Sequence, residues 1–439
     1  MKIKTLLFAF LVAAAVLPAR ANDYAPVPEP EETGLVRACD AFGQGYFYIP
    51  GTNSCLRISG YLRADHKGGD GVYAMTYGDR RGKSYDWLMR ATLRFHTASQ
   101  TEWGPLRSFM ELRSDWHNGS EGNTPDDNSG GDLRFGYIEL GGLRIGIDET
   151  IFAYWTGYYG NMISDDIMNP TDKRTNVIAH TFNHENGFSA ILGFEQGNTY
   201  DGNGTIPGNT GSGNTDSADN TLNGTKSGGY RFRSDGSKHY KKLSSQTHDY
   251  TPNIVGGLKY EKNWGSIAGV VGYEPYYSEW TGKVRLDANL TNRLSLFAMG
   301  GYKSMEDYYN LDTSYGDDGA RIIGYRADGS AIKRYGLYRQ VNSNYGDWGG
   351  HGIYWLGGTY KFSHKTSLNF QNAYGEDRSF AHSTNITKDI VEGLTLVCEV
   401  TYKTWHNKYG RHQANGDEYR LSLKGKEALQ GAVRLQRSF

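Results

Sequence analysis

Successive segments of this chain alternate apolar and polar residues with a period of two, which is the pattern of a half-buried β-strand and not of a helix. In "CLRISGYLRAD", Leu56, Ile58, Gly60 and Leu62 fall on one face, and Arg57, Ser59, Tyr61, Arg63 and Asp65 on the other. "LMRATLRFHT" repeats the pattern, with Ala91, Leu93 and Phe95 against Arg90, Thr92, Arg94 and His96. "VRLDANL" and "RLSLFAMGGY" follow suit. So do "PNIVGGLKYE", with Ile254, Leu258 and Tyr260 on one side, and "SIAGVVGYE", with Ile267, Val271 and Tyr273. No long stretch has a helical period, so the chain reads as all-β.

The connections narrow the choice. Tight ones lie at "QTEWG" near residue 100 and at 141–142, 184–186, 263–264, 291–292 and 363–365. Long polar ones cover 66–86, 116–131, 149–174, 196–252 and 303–351. A soluble sandwich has no reason to alternate short with long. An antiparallel barrel in a bacterial outer membrane does, with periplasmic turns at one end and external loops at the other. Spanning strands need about 9 to 11 residues, and in lipid the sheet must close, because an unpaired edge leaves backbone groups unsatisfied.

About seventeen segments qualify, but both chain ends should lie on the periplasmic side, so the number must be even. "EYRLSLKGK" at 418–426 is assigned to the last external loop or to an extension of the final strand, leaving about sixteen strands. The last of these ends at Phe439, after alternating Gly431, Val433 and Leu435, and is expected to pair with the first. Such a terminal aromatic resembles the signal read by barrel-insertion machinery. Arg437 takes a slot the pattern reserves for an apolar residue, which is costly only away from the membrane interface.

Composition removes the alternatives. At 38% hydrophobic residues the chain is too polar for a helical membrane bundle, and 33 Tyr and 58 Gly against 11 Pro are unlike an average soluble protein. A net charge of -1 gives no global field for nucleic acid. The one long apolar run opens the chain: Lys2 and Lys4, then Leu6 to Val16, then Ala19-Arg20-Ala21. Residues 1–21 therefore read as a secretory signal peptide, since the run is too short for a spanning helix. The Pro- and Glu-rich stretch in 22–38 reads as a periplasmic segment, and 39–439 as the barrel domain, with 196–252 a long external loop low in apolar residues.

Cys39 and Cys55 bracket a short Gly-rich, aromatic loop. A disulfide suits an oxidising compartment, whereas a metal site would want further Cys or His nearby. Cys398 shares a face with Leu394, Leu396 and Val400 and reads as a small buried or lipid-facing hydrophobe.

Function must lie on the polar face. Arg57, Arg63, Arg90, Arg94, Arg107, Glu111 and Arg113 project from the polar sides of the first three strands. In a soluble sheet they would be a solvated face; in a sixteen-stranded barrel they line water. Opposite them should come the third external loop, "RIGIDETIFAYWTGYYGNMISDDIMNP". It carries Asp148, Glu149, Asp165 and Asp166 and the aromatics Phe152, Tyr154, Trp155, Tyr158 and Tyr159. So much apolar surface gains nothing in water, so the loop is expected to fold inward, although packing against a neighbouring subunit is the alternative. Charged rings at a constriction set ion selectivity.

"ACDAFGQGYFYIPGTNSCLRISGYLR", "RATLRFHTAS", "LRSFMELR", "GYIELGGLRIG", "TGYYGNMISDD" and "LQRSF" together resemble, in matching order, the signatures of the alphaproteobacterial general porin family of the Brucella and rhizobial type. The resemblance implies homotrimers of sixteen-stranded outer-membrane barrels that pass small hydrophilic solutes and ions passively, narrowed by the third loop. It implies outer-membrane lipid, lipopolysaccharide and the insertion machinery as partners, and no cofactor or metal. It places Asp165 and Asp166 on the loop signature and Arg63, Arg90, Arg94 and Arg113 on matching strands. A barrel enzyme would need a nucleophile, base and acid brought together, and the twelve His are scattered. A soluble propeller would show an internal repeat, and none is visible. A sugar-specific slide built on the loop aromatics is the closer rival.

Overall fold

Sixteen strands carry the alternation: β1 (Cys55–Gly69), β2 (Tyr85–Thr101), β3 (Gly104–Asn118), β4 (Asp132–Leu140), β5 (Leu143–Glu149), β6 (Arg174–Asn183), β7 (Phe188–Glu195) and β8 (Asn253–Lys262) in the first half. The second half holds β9 (Gly265–Glu274), β10 (Glu279–Asn289), β11 (Leu294–Lys303), β12 (Gly352–Ser363), β13 (Thr366–Gly375), β14 (Ser379–Val391), β15 (Leu394–Trp405) and β16 (Lys426–Ser438). They are seen in a computed structural model that describes residues 37–80, 85–118, 132–158, 161–165, 167–171, 174–184, 186–196, 228–232, 238–242, 251–275, 277–340, 345–405, 410–412 and 415–439. The expected signal peptide 1–21, nearly all of 22–38, most of 196–252, and Tyr159 and Asp166 lie outside the described residues.

Each strand pairs with its neighbours in sequence, and β1 pairs antiparallel with β16 from Tyr61↔Ser438 to Gly69↔Gln430, which closes the barrel. Phe439 continues that seam: its amide donates to the Gly60 carbonyl at 3.1 Å, and the Gly60 amide donates back at 3.0 Å. Closure matters because an open edge in hydrocarbon costs several kcal/mol for each unsatisfied group.

The faces are inverted relative to a soluble protein. Ile58, Leu62, Leu93, Leu258, Ile267 and Val271 are exposed on the outer face, while Thr92, Glu111, Asn369, Asn385 and Glu399 are buried on the inner one. Arg437 stands on the outer face beside the 392–393 turn and reaches back to the Glu392 carbonyl at 2.7 Å, so its charge is held at the barrel end.

The turns at one end are short because their sequences permit it. Gly141 and Gly142 form a two-residue hairpin with φ of 57° and 94°, and a Cβ on Gly141 would lie 2.6 Å from the Trp103 carbonyl. At the other end the alternation of short with long is not strict, since β9–β10 and β13–β14 are joined by 275–278 and 376–378 alone.

The long connections also hold structure that the sequence pattern did not announce. Gly228–Phe232, Lys238–Lys242, Tyr308–Leu311, Ala320–Tyr325, Ala331–Gln340, Gly410–His412 and Glu418–Leu421 form a second sheet of seven strands. Segment 418–421 therefore belongs to the last loop and not to β16. Its strand runs parallel to 331–340, with Tyr335 and Tyr419 stacked 4.7 Å apart.

Residues 37–57 form a compact unit of their own. Within it the expected disulfide joins Cys39 and Cys55, Phe47–Tyr48 pairs with Cys55 and Leu56, and Arg57 sits over the Tyr46 ring.

Candidate functional site

Cross-strand register decides which charges meet on the inner face. Arg90 lies directly opposite Asp115, and Arg94 opposite Glu111. The first pair is bidentate at 2.7 and 2.6 Å; Glu111 takes Arg94 at 2.7 Å and Arg113 at 3.2 Å. Across the closing seam Asp65 faces Arg434 and holds it at 2.6 and 2.7 Å, while Arg63 faces Gln436 and bonds its side-chain oxygen at 2.9 Å. Opposite charges placed directly across a ladder stabilise it, so these pairs order the wall as well as charge it. Together with Arg134 and Arg174 these arginines line a cavity of 970 Å³.

Residues 150–171 supply other lining. A four-residue helix, Ile151–Tyr154, opens the segment. Glu195 at the end of β7 accepts from the Thr150 hydroxyl at 2.8 Å and the Ile151 amide at 2.6 Å, satisfying donors a helix start leaves open. Farther along, one carboxylate on β15 holds two amides: Ile163 and Ser164 donate to Glu399 at 2.6 and 2.8 Å. Asn385 on β14 donates to the Asn161 carbonyl, Lys403 on β15 to Ile167, Trp355 on β12 to Met168, and Lys283 on β10 to Pro170. Arg285 on β10 donates to the Tyr158 carbonyl. All of these partners stand on the inner faces of their strands. Ile151, Phe152 and Trp155 are buried.

A family model described as "Porin subfamily" matches residues 23–432. The chain belongs to the porin family. Among curated relatives it is 39% identical over 450 residues to Porin Omp2b of Brucella suis and 37% identical over 446 residues to Porin Omp2b of Brucella abortus. In both cases each chain is covered over its whole length. Among solved structures, the outer membrane channel DcaP of Acinetobacter baumannii shares the fold at 13% identity and a TM-score of 0.52, covering 89% of this chain and 99% of its own. The protein is thus an outer-membrane porin, a general channel with a closed sixteen-stranded barrel.

In this porin the residues singled out from sequence do not all come together. Arg63, Arg90, Arg94 and Arg113 line the cavity, and so do Glu149 and Asp165. Asp148 is buried at the end of β5 and paired with Arg144 at 2.6 Å. Arg107 lies three residues into β3 from the short turn, opposite Glu139, and is not part of the cavity lining. Asp166 lies outside the described residues. Arg134, Arg174, Arg434 and Lys67 line the cavity without having been singled out. Arg434 was legible, because it alternates with Val433 and Leu435 on the last strand; Arg134 was not, because a bulge displaces it.

Proposed function

We propose that this porin is a passive diffusion channel for small hydrophilic solutes and ions, narrowed by the third external loop, whose Glu149 and Asp165 stand across the lumen from an arginine wall carried by Arg63, Arg90, Arg94 and Arg113. The observation that carries this reading is the shared cavity: Glu149, Tyr158, Ile163 and Asp165 line the same space as the arginines of β1 to β3. Opposed charges across a narrow aqueous path create a transverse field that orders ions and orients dipolar solutes. The sugar-slide alternative loses support, since Phe152 and Trp155 are buried and only Tyr158 of the described loop aromatics lines the cavity.

The working form in this reading is a homotrimer in outer-membrane lipid and lipopolysaccharide, exported by its 1–21 signal peptide, with 22–38 in the periplasm and Phe439 read by the insertion machinery. Liposome swelling tests the diffusion claim. Rates for uncharged solutes should fall smoothly with size and show no saturation; saturable uptake of one sugar would contradict it. Replacing Asp165 and Asp166 together by Asn should shift the reversal potential in a salt gradient toward anions, and an unchanged potential would place these residues away from the narrow point.

A further inference from the structure

The lumen wall carries more positive charge than its own carboxylates neutralise. Eight basic side chains line the cavity against four carboxylates, and even with Glu111 added behind the wall an excess of three positive charges remains among the described residues. The excess is localised. Arg90, Arg94, Arg113 and Arg434 are all taken up by Asp115, Glu111 and Asp65. Among the described residues, Arg63 bonds the neutral Gln436 and lies over the Tyr61 ring, Lys67 lies over the Tyr73 ring, Arg134 lies over the Phe135 ring, and Arg174 reaches the Leu133 carbonyl at 3.5 Å with Glu149 opposite it in the ladder, so these four cations share the two remaining carboxylates, Glu149 and Asp165.

Arg134 is placed on the wall by a break in the ladder. Glu111 pairs with Phe135 and Leu112 with Leu133, so Arg134 is an extra residue in β4 with no counterpart on β3. Bulges of this kind re-aim a side chain, and here Arg134 and Phe135 both line the lumen although they are consecutive. The Nε of Arg134 is buried and makes no hydrogen bond among the described residues, and the group lies in the repelling fields of Arg113, Arg174 and Arg90, opposed by the carboxylate of Glu111. Crowding guanidinium groups around too few carboxylates is unfavourable, and an added anion offsets it.

We propose that Arg134 and Arg174, backed by Arg63 along the wall, form a binding site for the phosphate group of small solutes, making this channel selective for anions. The planar guanidinium fork fits phosphate oxygens two at a time, which distinguishes this site from a general positive field. The proposal rests on the channel reading above. Whether the phosphate arrives free or on a small organic solute, the same oxygens are recognised.

The test is planar-bilayer recording of the mature protein in a potassium chloride gradient, with inorganic phosphate and then glycerol phosphate added at millimolar concentration. The reversal potential should report anion preference, and both additives should reduce the chloride current. The Arg134→Gln, Arg174→Gln double variant should keep its conductance steps but weaken the block at least roughly tenfold, as expected for losing even one charged hydrogen bond. Arg437→Gln removes a positive charge away from the wall and should leave the block unchanged. Channels with cation preference, block by glycerol phosphate alone, or equal block in the double variant would overturn the phosphate site while leaving the channel intact. Absence of any conductance from a folded barrel would instead overturn the channel reading, and the site with it.

Discussion

Glu399 shows how a single buried charge can hold a functional loop. Its two oxygens accept the Ile163 and Ser164 amides, and Asn385 donates to it at 3.0 Å. Hydrogen bonds to a charged group are worth about 1.5–3 kcal/mol each. Glu399→Gln should therefore loosen the loop without disturbing the barrel, and single-channel records should show greater open-state noise; quiet, unchanged openings would mean the loop is held elsewhere. The outer face sets a different rule. Leu93→Arg should cost about 2–4 kcal/mol of barrel stability in a refolding titration, whereas Arg94→Leu, one residue along on the inner face, should assemble normally and change selectivity. Equal assembly of the two would mean the β2 register is wrong. Register is why most wall residues could be named from sequence: a period of two fixes the face of every residue in an unbroken strand. Arg134 escaped because one inserted residue resets that period, and nothing in "DLRFGYIEL" marks the insertion.

Elements at the long-loop end depend on one another. Tyr345, in the connection between β11 and β12, donates its hydroxyl to Glu195 at 2.8 Å and packs its ring against Phe152 at 5.1 Å. The neighbouring Gly346 amide donates to the Thr171 hydroxyl at 2.8 Å. The 304–351 connection thus clasps both ends of the 150–171 segment, and Tyr345→Phe should raise its protease sensitivity while the barrel keeps its heat-modifiable migration. The same connection is pinned by Asp307, which is bonded to Lys303 at 3.1 Å and to the Gly350 amide at 2.7 Å. Burial raises the Asp307 pKa, but the charges of Lys303 and Arg339 and the Gly350 amide outweigh it and hold the carboxyl below its ordinary value. A carboxylate lowered on folding contributes its full stabilisation above its unfolded value, about 3.9, and loses it as pH falls through the lower folded one. Tryptophan fluorescence should show a transition below about pH 4, and Asp307→Asn should remove it; persistence of that acid transition in the variant would contradict the assignment. These contacts were not legible in advance. The outer sheet has no lipid face to impose alternation, so strands such as Tyr308–Leu311 and Glu418–Leu421 leave only brief, irregular patterns.

At the scale of the whole molecule, lipid imposes the constraints that made the fold readable. Hydrocarbon outside and water inside force alternation on every strand, and the need to close forces the even count and the pairing of Tyr61 with Ser438. The N-terminal unit adds a covalent constraint: closing a loop of this size with Cys39–Cys55 is worth about 3 kcal/mol, so the Cys39→Ser, Cys55→Ser variant should refold with a lower yield at unchanged conductance. The most direct measurement of the central claim is single-channel conductance of the refolded mature protein in a planar bilayer. The proposed open, charge-lined trimer predicts ohmic steps, often in groups of three, that scale with salt concentration. A folded, heat-modifiable barrel that gives no steps would contradict it.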